Sequence, residues 1–182
     1  MSQPAQSPTT HKLVCFLLAG QEFAAPIREV KETIALRPLT RVFLVPPFVA
    51  GLMNLRGEVV AVLDLFELLG FAPRSLHGEV DRRRNPDAAI VILRPPEALG
   101  ARAANRAAAG LLVDRMIGVR DVPLESLQPA PPTLSSEAAS YLRGVATVDD
   151  PPRPLLCLDL EKVLTTERLR PFRRETHSGD RP

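Results

Sequence analysis

The sequence predicts an all-β protein, most simply one built of small barrels. Three observations carry that class. Apolar residues fill 45% of the 182 positions but come in short runs. Nineteen prolines and ten glycines interrupt those runs, as a chain of short strands joined by turns requires. No strand–helix–strand rhythm appears, which removes the classes built on a parallel sheet with crossover helices. A chain of this length fits one domain, or two small units sharing a core. Tryptophan is absent and aromatics are only 4%, so aliphatic side chains must fill the interior.

Taken in order, Met1–Thr10 is polar and uncharged, has neither the basic nor the apolar region of a signal peptide, and is expected to be disordered. Val14–Leu18 reads as a strand, Ala19–Glu22 as a tight turn and Phe23–Ala25 as the returning strand of a hairpin. Pro26 opens a short turn. Val30–Leu36 alternates in part and reads as a third strand; Pro38–Pro47 is a proline-punctuated connection. The five apolar residues Val59–Leu63 read as a strand buried on both faces. Asp64 then caps a short helix, with Glu67 three residues on and Gly70 at its end.

Residues 71–87, with Asp81-Arg82-Arg83-Arg84, read as a solvated loop. Ala88–Leu93 is a strand, 94–106 a long connection, Ala107–Asp114 and Met116–Val122 further strands. Leu124–Leu127 reads as a helical turn and Pro129–Pro132 as an extended linker. Ser135–Leu142 reads as a short helix stopped near Gly144, and Val145–Val148 and Leu155–Leu158 as the last strands. Leu158-Asp159-Leu160 echoes Leu63-Asp64-Leu65, with apolar residues at the same offsets beyond each. The echo suggests two similar β units. Residues 169–182 are charged and proline-containing, and are expected to form a flexible tail.

Composition and motif exclude several functions. A net charge of +2 is too small to imply nucleic acid or an anionic membrane. The basic residues fall in loops without interleaved aromatics, so no nucleic-acid face is expected. No apolar run approaches 18 residues, so no membrane insertion is expected. Cys15 and Cys157 sit in apolar runs and read as buried thiols of a cytoplasmic protein, with a disulfide left open. His11, His77 and His177 have no carboxylate or thiol partner at useful spacing. Asp64 and Asp114 lack the Thr-Gly or Ser-Gly that follows a catalytic dyad; a helix cap and a strand end suit them better. No phosphate-cradling glycine motif occurs. The chain is read as a non-enzyme with no cofactor and no metal.

What remains is the stretch from Val45 to Leu65. Two prolines, Pro46 and Pro47, lead into Phe48, Val49 and Gly51, then Asn54-Leu55-Arg56-Gly57, then the apolar strand. Gly57 suits a position needing φ > 0. Arg56, flanked by apolar residues, is expected near the core, where its guanidinium would need a partner. Val30, Phe48, Val49 and Gly51 fall near the same strands; they read as core or as an apolar patch for another protein.

The order proline, aromatic, glycine, Asn54-Leu55-Arg56-Gly57 and a strand ending in Asp64-Leu65 resembles the CheW family of chemotaxis coupling proteins, over roughly residues 11–168. The resemblance implies two SH3-like β-barrels packed together. It implies an acidic partner for Arg56 in a Val-x-Glu pattern, here Val30-Lys31-Glu32, and a glycine at position 110 that permits close backbone approach. It further implies a non-enzymatic adaptor. Its partners would be the cytoplasmic tips of methyl-accepting chemoreceptors and the CheW-like regulatory domain of a CheA-type histidine kinase, with other CheW-like proteins as further possible partners. An ion pair Glu32–Arg56, if buried, would cost about 3–5 kcal/mol to break by removing one member. Ala61 stands where the family carries a proline, and the 94–106 connection is longer than usual. These departures fit a divergent or accessory system. A CheW-like protein that binds without activating, or a kinase regulatory fragment, stays open.

Overall fold

The structure, a computed structural model, describes residues 10–70, 85–94, 108–166 and 169. The expectations for 1–9, 71–84, 95–107 and the tail lie outside those residues. Ten strands and three short helices follow in order: β1 Thr10–Leu18, β2 Gln21–Pro26, β3 Val30–Ala35, β4 Val49–Leu55, β5 Glu58–Asp64, α1 Leu65–Leu68, β6 Ala89–Leu93, β7 Ala108–Val113, β8 Arg115–Pro123, α2 Ser136–Ser140, β9 Leu142–Val148, β10 Arg153–Leu158 and α3 Leu160–Thr165. No helix among the described residues is long and apolar enough to cross a membrane.

The strands form two five-stranded sheets, β8-β1-β2-β10-β9 and β3-β6-β7-β5-β4. All neighbours are antiparallel except β2 with β10 and β5 with β7. The chain is therefore two copies of one plan: hairpin, single strand, hairpin, helix. Each sheet takes its first hairpin from one copy and its other three strands from the other copy. Neither half of the chain holds a complete sheet. The predicted hairpin β1–β2 is present, pairing Leu18 with Gln21. The third strand does not continue from it. Pro26 offers no N–H to a ladder, a 3₁₀ turn over Ile27–Glu29 redirects the chain, and β3 pairs with β6 in the other sheet.

The Leu-Asp-Leu echo is structural. Asp64 and Asp159 each end a strand and cap the next helix: Asp64 Oδ1 accepts from Phe66 N and Glu67 N at 3.0 and 3.4 Å, and Asp159 Oδ1 accepts from Lys162 N at 3.2 Å. Such caps satisfy helix-end donors that have no intrahelical partner. Ser135 does the same for α2 through Ala138 N.

The apolar residues divide into three clusters, and the period of two along each strand explains how. Ile90 and Ile92 of β6 join Val60, Val62, Met53, Leu55 and Leu112 inside one barrel. Ala89, Val91 and Leu93, alternating with them, face the largest cluster, which also holds Phe16, Phe23, Leu156, Leu158 and the inner faces of the helices. Leu13, Cys15, Ala24, Val122, Ala146, Leu155 and Cys157 fill the other barrel. Strands such as β6 are thus apolar throughout because both faces are covered. The expectation for Val59–Leu63 holds only from Val60 onward, since Val59 stands exposed beside the turn.

Ala24 is the register partner of both Cys15 and Cys157. The thiols therefore lie two strand spacings apart, roughly 10 Å, beyond the span of a disulfide. Burial pushes both up to about 11, so they are inert packing groups.

Candidate docking site

β4 and β5 pair Leu55 with Glu58, which leaves Arg56 and Gly57 as a two-residue turn. Both have positive φ, 54° and 89°. This is the hairpin geometry whose twist matches the flanking strands. Each residue of the motif has a distinct task. Asn54 Oδ1 accepts from Gly57 N at 2.9 Å and ties the turn shut. Leu55 is buried in the barrel core. Gly57 supplies backbone freedom; a Cβ there would meet nothing within 4 Å. Arg56 is a non-glycine residue held in the left-handed region, which costs about 1–2 kcal/mol.

The Arg56 guanidinium reaches across to β3, donating from Nη2 to Glu32 Oε2 at 3.0 Å. The expected pair exists, but its setting differs from the expectation. The Arg56 side chain is 76% exposed and that of Glu32 22%. Leu55 turns inward, and the turn carries the next residue out beyond the barrel end. A single charged contact in such water exposure is worth about 0–1 kcal/mol, not the cost of a buried pair. Lys31 Nζ stands beside it, 3.2 Å from Glu58 Oε2.

The other predicted residues are placed as follows. Val30, Phe48, Leu55, Gly51 and Gly110 are buried, and Val49 is half-buried. They support the site rather than present a patch. A Cβ on Gly51 would lie 2.7 Å from the Thr40 carbonyl oxygen, and its φ is 152°. The reason is a bridge between Thr40 and Leu52, with hydrogen bonds of 2.8 and 2.9 Å. It joins the chain after β3 to β4, the two edges of one sheet, and closes the barrel. A Cβ on Gly110 would lie 2.6 Å from Ile90 Cγ2, so a fully buried side chain fills its place.

The second barrel repeats this device, which the sequence reading missed. Gln128, after β8, bridges Val145 of β9, and a Cβ on Gly144 would lie 2.7 Å from the Gln128 carbonyl oxygen. Five residues beyond Gly51 comes Arg56; five beyond Gly144 comes Asp149, also at positive φ, 66°. Asp149 pairs with Arg120 on β8, as Arg56 pairs with Glu32 on β3, with the charges exchanged. Arg153 Nη2 adds a contact of 2.7 Å to Asp149, and Arg153 Nη1 one of 2.9 Å to Glu22. Arg120 lies 3.6 Å from Glu22. The hydrogen bonds from Arg120 and then Arg153 lower the Asp149 carboxyl below its ordinary value, and the same contact with Asp149 raises Arg120. The equal spacing from each glycine to its turn was the signal available in the sequence.

Among the described residues no three His, Cys, Asp or Glu side chains stand together as a metal set. Asp114 lies at the bend after β7 and accepts from Ala19 N at 2.6 Å, tying the β1–β2 turn to that bend.

The model of the CheW-like domain matches residues 12–168. The chain belongs to the CheW-like family. It is 26% identical to a protein named Chemotaxis protein CheW from Klebsiella aerogenes, over 93% of this chain and 90% of that protein. It is 27% identical to Protein FrzA of Myxococcus xanthus, over 91% and 92%. Among solved structures, the scaffolding protein TtCheW of Thermoanaerobacter tengcongensis superposes with a TM-score of 0.68 at 25% identity, covering 92% of this chain and 96% of that one. The two five-stranded sheets match its two SH3-like domains. The CheW-like family is one of chemotaxis scaffold and adaptor proteins.

Proposed function

We propose that this chain is a non-enzymatic adaptor that couples methyl-accepting chemoreceptors to a CheA-type histidine kinase within a cytoplasmic signalling array. The carrying observation is the Arg56 turn. Its guanidinium is exposed, its pairing with Glu32 adds little stability, and its backbone is held in a conformation that costs energy. A strained, exposed residue with no stabilising return marks a place where contact with something else is the use. The exposed guanidinium with its planar fork suits a carboxylate or carbonyl of a partner protein. Glu32 holds it in one orientation, and Gly57 and Asn54 hold the turn. The CheW-like domain of 11–168 acts as the unit.

Family membership supports an adaptor, as do relatives named for chemotaxis. The test is binding of purified receptor hairpin and kinase regulatory domain to the chain and to Arg56→Glu. The variant keeps the circular dichroism spectrum and loses both partners; the unmodified chain raises receptor control of kinase autophosphorylation in a reconstituted mixture. An unmodified chain that binds neither partner refutes the proposal. One that binds both but suppresses the kinase makes it an inhibitory relative instead.

A further inference from the structure

The most exposed apolar side chains lie in the connection between β3 and β4. Phe43 is 86% exposed, Leu44 is fully exposed and Val42 is exposed beside them. The loop is held. Thr40 is anchored on Leu52 by two hydrogen bonds, Val49 N donates to Pro46 O at 2.9 Å, and Pro38, Pro46 and Pro47 restrict the backbone. Leu44 sits at φ 61°. Two large apolar side chains are thus presented to water on a braced loop, with part of the ordering cost of binding already met.

The charge around this tip has one sign. No Asp or Glu occurs from Thr33 to Gly57. Arg37 and Arg41 are exposed and form no ion pair with any described residue. A complementary surface is an apolar hollow rimmed by carboxylates. A second copy of the tip would bring arginines against arginines. A lipid surface would gain three short side chains and two cations, less than the single acyl chain that by itself anchors only marginally. A helical hairpin offers ridges along its length, whereas a plug needs a hollow of the kind a two-barrel partner has between its barrels.

We propose that the Val42–Leu44 tip is a plug that docks into an acid-rimmed apolar pocket on the kinase's CheW-like regulatory domain. This rests on the adaptor reading above and assigns one of its partners to a second surface. The tip feeds the Val49 end of β4, while the Arg56 turn lies at the other end, roughly 20 Å along the strand. An adaptor holding two proteins needs two such separated faces.

The test uses the full chain and two double variants, Phe43→Ser with Leu44→Ser, and Arg37→Glu with Arg41→Glu. Affinity is measured for the kinase regulatory domain and for a receptor cytoplasmic hairpin. Cosedimentation is measured with vesicles of phosphatidylglycerol and phosphatidylethanolamine. The serine variant is expected to weaken kinase-domain binding about thirtyfold, the effect of truncating an interface hot spot. Receptor binding should stay within about twofold and the melting temperature should not fall, because both side chains are exposed. The glutamate variant is expected to slow association and to lose its acceleration at low salt. Unchanged kinase affinity in the serine variant overturns the plug alone and leaves the adaptor reading standing. Loss of receptor binding instead, or tip-dependent sedimentation with vesicles, overturns the assignment of partner. A complete chain that binds no kinase domain removes both proposals.

Discussion

The two barrels close by the same device and use it differently. In each, a residue after an edge strand bridges the opposite edge over a glycine, and a charged residue at a positive-φ turn reaches back to that edge strand. In the Arg56 barrel the turn carries the cation and the pair is largely in water. In the Arg120 barrel the turn carries the acid. There Arg120 and Asp149 are 26% and 29% exposed, and Arg153 and the almost buried Glu22 complete a four-residue network. One seam holds its barrel through charge; the other leaves its charge available. A shared fold plan therefore does not imply a shared role for equivalent positions.

The largest expected difference lies between Arg120→Ala and Arg56→Ala. Removing Arg120 leaves Glu22 and Asp149 short of a cation in a half-buried setting and is expected to cost about 3 kcal/mol in urea unfolding. Removing Arg56 is expected to cost under about 1 kcal/mol. Equal costs would show that the two pairs do the same work. Next come the glycines. Gly51→Ala and Gly144→Ala both push a Cβ against a backbone carbonyl and are each expected to cost about 1–3 kcal/mol. Gly51→Ala should cost more, because its φ of 152° penalises any side chain. A larger loss at Gly144 would contradict the reading of its seam.

Acid distinguishes the barrels more gently. The Asp149 carboxyl is held below its ordinary 3.8 by hydrogen bonds from Arg120 and Arg153. A group with a lowered folded value contributes its stability above the unfolded value and loses it as pH falls through the folded one. The stability gap between the unmodified chain and Asp149→Asn is thus expected to be constant at neutral pH and to close below about 3.8. A gap that persists to strong acid would assign the network's contribution to shape instead of charge.

Much of the plan was legible in the residues, for local reasons. Asp64 with Glu67 beyond it gave away a capped helix, and Leu158-Asp159-Leu160 repeated it in the other half. Gly57 announced the turn. The partner of β3 was not legible, because strand pairing across the two copies depends on where Pro26 and the following turn send the chain. Arg56 was expected near the core because its neighbours are apolar. The alternation along a hairpin places Leu55 inward and the turn residue out, and that direction is not fixed by composition. The Arg120–Asp149 network was hidden by its reversed charges. The need for glycine at 51 and 144 comes from carbonyls at Thr40 and Gln128, distant in sequence. Phe43 and Leu44 resembled any apolar pair in a proline-rich connection until their exposure was seen.

Arg56→Asn separates docking from folding with one substitution. Asn tolerates the left-handed conformation, and Asn-Gly is the favoured pair for this turn. Unfolding and partner affinity would be measured on the same preparation. The expected result is stability unchanged or raised by up to about 1 kcal/mol, with receptor and kinase binding reduced at least about tenfold. A variant that loses stability but keeps both partners would make the Arg56 turn a structural latch, like its counterpart in the other barrel.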